Sequence, residues 1–306
     1  MDPLSDVLSL LRPRSIVSGG FDVGGPWSIQ FPRPQGVKCY AVANGECWLV
    51  VEGVAEPVRL ATGDCFLLPG GRTFTLASDL ALTPIDALAN LPRRSEGGIR
   101  VHNGGGDAMV IGGHFILDGD HAGVLRNMLP PIVHIRRASD REALRWSIER
   151  MRQELIEQRP GGALIGQHLA HMMLVQALRA HLSEGPAGGV GWLFALADRQ
   201  MGAALGALHE DPARRWTLQE LAERVGLSRS IFAQRFKATV GTSAMDYLIR
   251  WRMLLASDRL AHSGDPVSAI ALSLGYESES AFSTAFKRVM GRPPRRYGRE
   301  LAEASA

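Results

Sequence analysis

Short apolar runs separated by glycine-containing turns occupy residues 16–133. Two of these runs, Val37–Ala43 and Glu46–Glu52, flank Asn44-Gly45, a dipeptide that strongly favours a two-residue β-hairpin turn. The further runs are Val58–Leu60, Cys65–Leu68, Arg72–Leu76, Met109–Ile111 and His114–Leu117. Many short strands at close spacing predict an antiparallel β-barrel or β-sandwich in this part of the chain.

After about residue 135, apolar residues recur at helical spacing. Leu144, Ile148, Met151 and Leu155 predict one helix, and a second is predicted over 163–182. A glycine-rich break at 185–191 precedes a third predicted helix, and short helices follow to the end of the sequence. We therefore predict an α+β chain in three parts: a β domain at 1–135, a helical linker at 136–208 and an all-helical domain at 209–306.

The last hundred residues contain a diverged duplication. The first copy has Ala222, Gly226, Phe232, Phe236-Lys237, Gly241 and Tyr247. The second copy has Ala271, Gly275, Phe282, Phe286-Lys287, Gly291 and Tyr297. The same residue types recur in the same order, and the spacing differs by one residue, in the turn after the first glycine. This match indicates two copies of one structural unit.

Each copy has the pattern of a helix-turn-helix. In the first copy, Thr217 and Glu220 fit a capping box, Gly226 suits the turn, and Ser228 can cap the second helix. The second helices are predicted to bury Ile231, Phe232 and Phe236 in one copy and Phe282, Phe286 and Val289 in the other. They are predicted to expose Arg229, Ser230, Ala233, Gln234 and Lys237 in the first copy, and Glu279, Ser280, Ala281, Thr284 and Lys287 in the second. A polar helix face with short side chains is suited to the DNA major groove.

The charge distribution supports a polyanionic partner for the C-terminal part. The 306 residues have a formal net charge of +3, of which residues 1–133 carry −3, residues 134–208 carry +2 and residues 209–306 carry +4. A predicted helix of roughly 27 Å over residues 244–261 joins the two copies. That length is close to the ~34 Å between successive major grooves on one face of B-DNA, so one chain can occupy two adjacent grooves.

Composition excludes several other classes of protein. The chain is 45% apolar and 21% charged, which is typical of a globular protein. No apolar run approaches the ~18 residues that span a membrane, and the acidic start over residues 1–6 does not fit a secretory or transit peptide. Three cysteines are too few for a disulfide scaffold and favour a reducing compartment. We expect a cytoplasmic protein.

Residues 209–300 resemble the DNA-binding domain of the AraC/XylS family of bacterial transcription regulators. The resemblance rests on the segments Trp216–Gly226, Ser228–Lys237, Ala271–Lys287 and Gly291–Tyr297. It implies double-stranded promoter DNA and RNA polymerase as partners. It also implies base contacts from Ser230, Ala233 and Gln234 in the first copy and from Glu279, Ser280, Ala281 and Thr284 in the second.

The chemistry of these side chains predicts separate roles at the DNA. Gln234 can pair with adenine, Glu279 can accept a hydrogen bond from cytosine N4, and Thr284 can offer its methyl group to thymine. The cations that flank these helices are expected to contact phosphates instead. They are Arg229, Lys237, Lys287 and Arg295.

Two segments of the β domain, Gly63–Pro69 and the later Gly113–Phe115 with Leu129–Pro131, resemble the cupin-like sensor domains of some AraC-family regulators. That resemblance implies a small-molecule effector and a homodimer formed through the helices that follow. We predict an apolar effector pocket without metal or cofactor, lined by Tyr40, Trp48, Phe66 and Phe74. The stripe assigned to the dimer is Leu164, Leu169, Met172, Val175 and Leu182.

Two alternatives stay open for the β domain, a cupin enzyme and a thiol-based redox sensor. A metal-dependent cupin needs histidine ligands early in the sequence, and none precedes His102. A different metal site would use His102, His114 and His121 with Asp118 and Asp120. The predicted hairpin directs Cys39 and Cys47 to opposite sheet faces, which disfavours a disulfide and favours buried thiols at these positions and at Cys65.

Overall fold

The computed structural model describes residues 2–11, 15–34, 36–91, 98–116, 129–135, 137–183 and 191–305. They form two compact units: a sheet unit of residues 15–183 and a helical unit that combines residues 2–11 with 191–305. The helical segment predicted at 136–208 is therefore shared between both units. Helical periodicity identifies a helix but not the partner that buries its apolar face. No helix in the described ranges is long and apolar enough to cross a bilayer.

Among the described residues, the sheet unit contains the strands and three helices, and the helical unit contains the remaining helices. The strands are β1 (Ser15–Val23), β2 (Ser28–Phe31), β3 (Gly36–Asn44), β4 (Glu46–Val51), β5 (Val58–Ala61), β6 (Cys65–Leu68), β7 (Phe74–Ala77), β8 (Ile85–Asp86), β9 (Gly98–His102), β10 (Ala108–Ile116) and β11 (Val133–Ile135). The helices are α1 (Pro3–Leu11), α2 (Ala87–Asn90), α3 (Ala138–Glu157), α4 (Gly162–Ser183), α5 (Trp192–Ala197), α6 (Arg199–Glu210), α7 (Leu218–Arg224), α8 (Arg229–Val240), α9 (Ala244–His262), α10 (Val267–Ser273), α11 (Glu279–Met290) and α12 (Pro294–Ser305).

Two sheets enclose the core of the sheet unit. The six-stranded sheet has the order β11-β6-β3-β10-β1-β9, and the five-stranded sheet has the order β5-β4-β7-β2-β8. The described pairings are antiparallel apart from β1 with β9 and β2 with β8. Side chains from both sheets, such as the fully buried Phe66 and Leu76, pack in one hydrophobic cluster. The predicted fold class, a β-rich first part followed by a helical C-terminal part, is confirmed.

The predicted hairpin at Asn44-Gly45 is wrong. Strand β3 pairs with β6 and β10, and β4 pairs with β5 and β7, so the chain passes from one sheet to the other at Gly45. Gly45 has a φ of +76°, and a Cβ there would lie 2.0 Å from the Asp107 carbonyl oxygen. The dipeptide thus correctly indicates a positive φ at Gly45. It does not indicate that β4 pairs with β5 and β7 instead of with β3.

Helices α3 and α4 pack on the outer face of the six-stranded sheet. Gly113 in β10 allows the close approach of α4, because a Cβ at this position would lie 2.5 Å from the Ala170 Cβ. Leu169, a member of the predicted dimer stripe, is a core residue with 5% exposure, whereas Leu164 is 59% exposed. Met172 and Val175, with Leu182, are half-buried.

The three cysteines are free and buried. The Sγ atoms of Cys39 and Cys65, on neighbouring strands, are 3.9 Å apart. This sulfur contact and burial raise the pKa of Cys39, and burial raises the pKa of Cys47 to about 12. The interpretation as buried thiols is confirmed, and the sulfur beside Cys39 belongs to Cys65.

Helix α1 belongs to the helical unit, although the sheet unit follows it directly in the sequence. Leu4, Val7 and Leu8 are buried there. Asp6 places a carboxylate oxygen 3.3 Å from Nδ1 of His209 on α6. The sequence offers no local signal that the first turns of the chain pack against a segment two hundred residues away.

A buried histidine connects three helices of this unit. Nε2 of His209 is 2.7 Å from the Tyr247 hydroxyl, and its ring stacks on Trp251 with a centroid distance of 3.9 Å. Burial lowers the pKa of His209 to about 3, so the imidazole is neutral. It donates from Nδ1 to Asp6 and accepts from Tyr247, which joins α1, α6 and α9.

Candidate nucleic-acid interface

The first helix-turn-helix consists of α7 and α8. Thr217 Oγ1 accepts a hydrogen bond from the Glu220 N–H at 3.2 Å, and the Glu220 carboxylate accepts one from the Thr217 N–H at 2.8 Å. The second of these bonds holds the pKa of Glu220 below its ordinary value. Gly226 turns the chain with a φ of +69°, and Ser228 caps α8. The predicted capping box and turn are confirmed.

The second helix-turn-helix, α10 and α11, repeats this plan. Gly275 occupies the turn with a φ of +79°, and Ser278 Oγ accepts a hydrogen bond from the Ala281 N–H at 3.2 Å. Helices α8 and α11, called the recognition helices below, each end at a left-handed glycine, Gly241 or Gly291. The 19-residue helix α9 joins the two copies.

The buried face of each recognition helix has two phenylalanines. Phe232 and Phe236 in the first copy, and Phe282 and Phe286 in the second, are fully buried, as predicted. Their ring centroids are 5.5 and 5.6 Å apart, respectively. This packing fixes which side of each helix is turned outward.

The prediction that Ile231 and Val289 are buried is wrong. Ile231 is 53% exposed and Val289 is 36% exposed. Each residue is about 100° around the helix axis from a neighbour that packs inward. Val240 in the first copy and Met290 in the second complete the packing instead. Ile231 thereby adds an apolar side chain to the outward surface of α8.

The residues predicted to face DNA lie on the outward surfaces of the recognition helices. Those that are exposed are Arg229, Ser230, Gln234, Lys237, Ser280, Ala281, Thr284 and Lys287, with Arg295 on α12. Ala233 and Glu279 are half-buried. The two faces therefore carry polar or small side chains together with cations and, on α8, the apolar side chain of Ile231.

One carboxylate oxygen of Glu279 is already engaged, because its Oε1 accepts a hydrogen bond from Arg295 at 3.0 Å. This ion pair links the start of α11 to α12. Thr284 donates its hydroxyl to the Ser280 carbonyl at 3.0 Å. Arg229, Lys237 and Lys287 have no carboxylate partner within 4.0 Å among the described side chains. These three cations are available to an external anion.

Sequence reasoning missed the residues that support the first recognition helix. Arg235 on α8 donates to the Gln200 amide oxygen at 2.5 Å and to the Asp198 carboxylate at 2.6 Å. Asp198 also caps α6 through the N–H groups of Gln200 and Met201. Burial raises the pKa of Asp198, but the Met201 N–H and Arg235 outweigh it and the pKa is lowered. The helical periodicity of 192–209 gave no indication of this contact.

A second unpredicted contact ties the two copies together. Arg252 on α9 donates to the carbonyl oxygens of Pro212 at 2.6 Å and Arg214 at 2.9 Å. Gly275 packs against the same segment, where a Cβ would lie 2.1 Å from the Ala213 carbonyl oxygen. Arg215 forms an ion pair with Glu277 beside that turn. These contacts fix the position of one copy relative to the other.

The sheet unit contains a separate cavity of about 160 Å³ between its two sheets. Tyr40 and Phe74, two of the residues predicted for an effector pocket, line it. Phe66 packs behind Tyr40 at a centroid distance of 6.1 Å and is fully buried. Trp48 lies on the opposite face of its strand from the core residues Cys47 and Leu49, so it does not line this cavity. Both faces of β4 carry apolar side chains, so the sequence does not indicate which face points into the core.

The histidines of the sheet unit do not form a metal site within the described ranges, where no group of three or more potential ligands occurs. His114 lines the cavity, and its Nε2 is buried without a hydrogen-bond partner. His121, Asp118 and Asp120 lie outside the described residues.

Known proteins match both units. A family model described as Cupin matches residues 2–183, and one described as Helix-turn-helix domain matches residues 221–300. A putative AraC-like transcription regulator from Streptomyces lividans is 45% identical over 97% of this chain and 98% of its own length. The chain belongs to the AraC-like transcription regulators. The regulator AlkR of Acinetobacter baylyi is 30% identical over 89% of this chain and 91% of its own.

This AraC-like regulator also resembles solved structures over its helical part. The DNA-binding domain of AdpA in complex with a target DNA is 27% identical over 35% of this chain and 96% of that chain, with a TM-score of 0.33. Family membership makes the chain a DNA-binding transcription regulator with a cupin-type N-terminal domain. Its relatives are transcription regulators rather than enzymes.

Proposed function

We propose that this regulator reads promoter DNA by placing α8 and α11 in successive major grooves. Ser230, Ala233 and Gln234 would contact bases from α8, and Glu279, Ser280, Ala281 and Thr284 would contact bases from α11. Gln234 is long enough for two hydrogen bonds to adenine, and the methyl group of Thr284 suits thymine. Glu279 retains Oε2 as an acceptor for cytosine N4 while Oε1 holds Arg295.

The observation that carries this proposal is the pair of outward faces on a duplicated scaffold. Each recognition helix turns polar or small side chains to solvent and carries a lysine with no described carboxylate partner, Lys237 or Lys287. Arg229 and Arg295 add further positive charge beside these faces. Such cations contact phosphates and set the register, while the short polar side chains reach base edges.

Footprinting on a promoter fragment tests the two-groove arrangement. Fragments bound in cells would be mapped first, and protection by the purified full chain would then be measured at base resolution. We expect two protected major-groove segments about 10 base pairs apart on one face of the duplex. Protection of a single segment, unchanged when the sequence of the second segment is scrambled, would contradict the proposal.

We infer that the sheet unit binds a small-molecule effector and that the chain acts on RNA polymerase at the promoter. The cavity between the sheets supports the first inference, and the family supports the second. The enzyme alternative is disfavoured by the relatives, and metal analysis of the purified protein tests it. The thiol-sensor alternative is disfavoured by the burial of all three cysteines and by the raised pKa of Cys39 and Cys47.

We also propose a homodimer formed through α3 and α4. These helices expose Trp146, Ile156, Leu164 and Ile165 by 39–64%, which supports an apolar contact surface. Leu164→Glu should give a folded monomer by sedimentation, whereas Leu80→Glu, a 46% exposed leucine elsewhere in the sheet unit, should leave the dimer intact. A dimer that survives the combined Trp146→Glu and Leu164→Glu change would contradict this interface.

A further inference from the structure

The cavity of the sheet unit combines apolar walls with positive charge. Phe31, Phe74 and Leu76 line one side of it, and Tyr40, Arg100 and His114 line the other. Its volume of about 160 Å³ is close to the roughly 150 Å³ that holds a benzene ring in a protein interior. A ligand that fills it has one ring or a short alkyl chain.

Lys38 does not itself line the cavity, but its ammonium group lies beside two residues that do, Tyr40 and Phe74. Its Nζ is 3.4 Å from the Tyr40 hydroxyl and 5.3 and 5.8 Å from the ring centroids of Tyr40 and Phe74. Strand register places Lys38 directly beside His114 on β10. Neither Lys38 nor Arg100 has a carboxylate partner within 4.0 Å among the described side chains. A partly buried cation without a counter-charge is uncommon in a folded protein.

His114 offers a hydrogen bond that nothing in the described structure takes up. Its Nε2 is buried and has no partner. Burial and the charge of Lys38 lower the pKa of His114 to about 4, so the ring is neutral and can donate from Nε2. An unsatisfied buried polar atom beside an unpaired cation is accounted for by an anionic ligand atom at this position.

We propose that the cavity binds a small organic carboxylate, with its apolar part between the two sheets and its carboxylate held by Lys38, His114 and the Tyr40 hydroxyl. Arg100 on β9 adds positive charge from the opposite edge of the same wall. This inference rests on the proposed effector role of the sheet unit and specifies the chemical class of the effector.

Matched acid and amide probes test the charge requirement. Calorimetric titration of the full-length protein would compare benzoate with benzamide and hexanoate with hexanamide, because each pair has nearly equal size and shape. A charge-assisted hydrogen bond predicts that each acid binds about tenfold to a hundredfold more tightly than its amide. Equal affinity, tighter binding of the amides, or no binding by any of the four probes would overturn the proposal.

Substitutions locate the preference in the cavity. Lys38→Met should abolish the difference in affinity between acid and amide. Lys38→Arg keeps the positive charge and should retain that difference, so it tests the assignment even if the methionine variant fails to fold. Arg59→Met is the control, because Arg59 is an exposed cation of the sheet unit that pairs with Glu46. A Lys38→Met protein that still prefers acids, or a Lys38→Arg protein that has lost the preference, would contradict the assignment.

Footprints with and without the probes separate this inference from the proposed function. If an acid binds selectively but leaves DNA protection unchanged, the ligand class holds and the effector role fails. If DNA protection responds to the amides as strongly as to the acids, the effector role holds and the ligand class fails.

Discussion

The two helix-turn-helix copies share one backbone plan but differ in what holds each recognition helix. When Phe232 is aligned with Phe282, Arg229 corresponds to Glu279 and Arg235 to Ala285. In the first copy, Arg235 on α8 forms an ion pair with Asp198, the residue that caps the start of α6. In the second copy, Glu279 at the start of α11 forms an ion pair with Arg295 on α12. The two copies therefore share one scaffold, but the charged side chain that supports the recognition helix lies in the middle of α8 and at the start of α11.

The turns of the two copies share a glycine but differ in what surrounds it. Both turns need a glycine for its positive φ, +69° at Gly226 and +79° at Gly275. A Cβ at Gly226 would point into open space, whereas one at Gly275 would meet the Ala213 carbonyl oxygen at 2.1 Å. The first turn is thus free at the surface, and the second is part of the contact between the copies.

The largest expected effect comes from alanine at these two glycines. Gly226→Ala should destabilise the helical unit by about 1 kcal/mol, the cost of a side chain in left-handed backbone. Gly275→Ala adds a clash with backbone and should cost about 3 kcal/mol. Hydrogen exchange at the amides of α7–α11 measures both changes in the full chain. Equal losses would show that the contact between the copies does not constrain the second turn.

A specificity change of about 1–3 kcal/mol is expected from Gln234→Ala. The loss should fall on the cognate duplex and leave a scrambled duplex unaffected, because a bidentate amide contact reads one base. Gln219→Ala is a matched control, since Gln219 is an exposed glutamine on α7 that hydrogen-bonds Glu223. Equal losses on cognate and scrambled DNA would exclude base readout by Gln234.

The difference between the copies also shows what the sequence can predict. The spacing of Phe232 and Phe236 and the glycines at the turns predicted both helix-turn-helix units, because these signals are local and repeat. Ile231 was misassigned because one position along a helix changes its direction by about 100°. Asp6 and Arg235 act through partners distant in sequence, and periodicity carries no information about such partners.

In the sheet unit, too, the sequence predicts local features but not contacts between distant segments. Local turn chemistry at Gly45 predicted a positive φ correctly, but strand pairing is a long-range property and the predicted hairpin was wrong. Tyr40 and Phe74 line the cavity, whereas Trp48 does not, because a one-residue difference in strand parity changes the face. Lys38 was not singled out, since its lack of a counter-charge is visible only in three dimensions.

A smaller effect should distinguish how each copy uses charge at the start of its recognition helix. In the second copy, Glu279→Ala and Arg295→Ala should be non-additive on cognate DNA, with a coupling of about 0.5–2 kcal/mol, because the two side chains form one ion pair. In the first copy, Arg229→Ala and Gln234→Ala should be additive, because no bond joins those side chains in the described structure. Affinity of the single and double variants for one duplex measures both cycles. Additivity in the second copy would mean that Glu279 and Arg295 act separately at the DNA.

The smallest expected effect concerns the lysine that both copies keep at the same position. Lys237→Ala and Lys287→Ala should each lower the slope of log affinity against log salt by about 0.9, because each removes one phosphate contact. Both should weaken cognate and scrambled duplexes alike, since a phosphate contact carries no sequence information. Arg59→Ala, in the sheet unit, should leave the slope unchanged. A change at only one of the two lysines would mean that only one recognition helix enters a groove, and the equivalence of the copies would be limited to their fold.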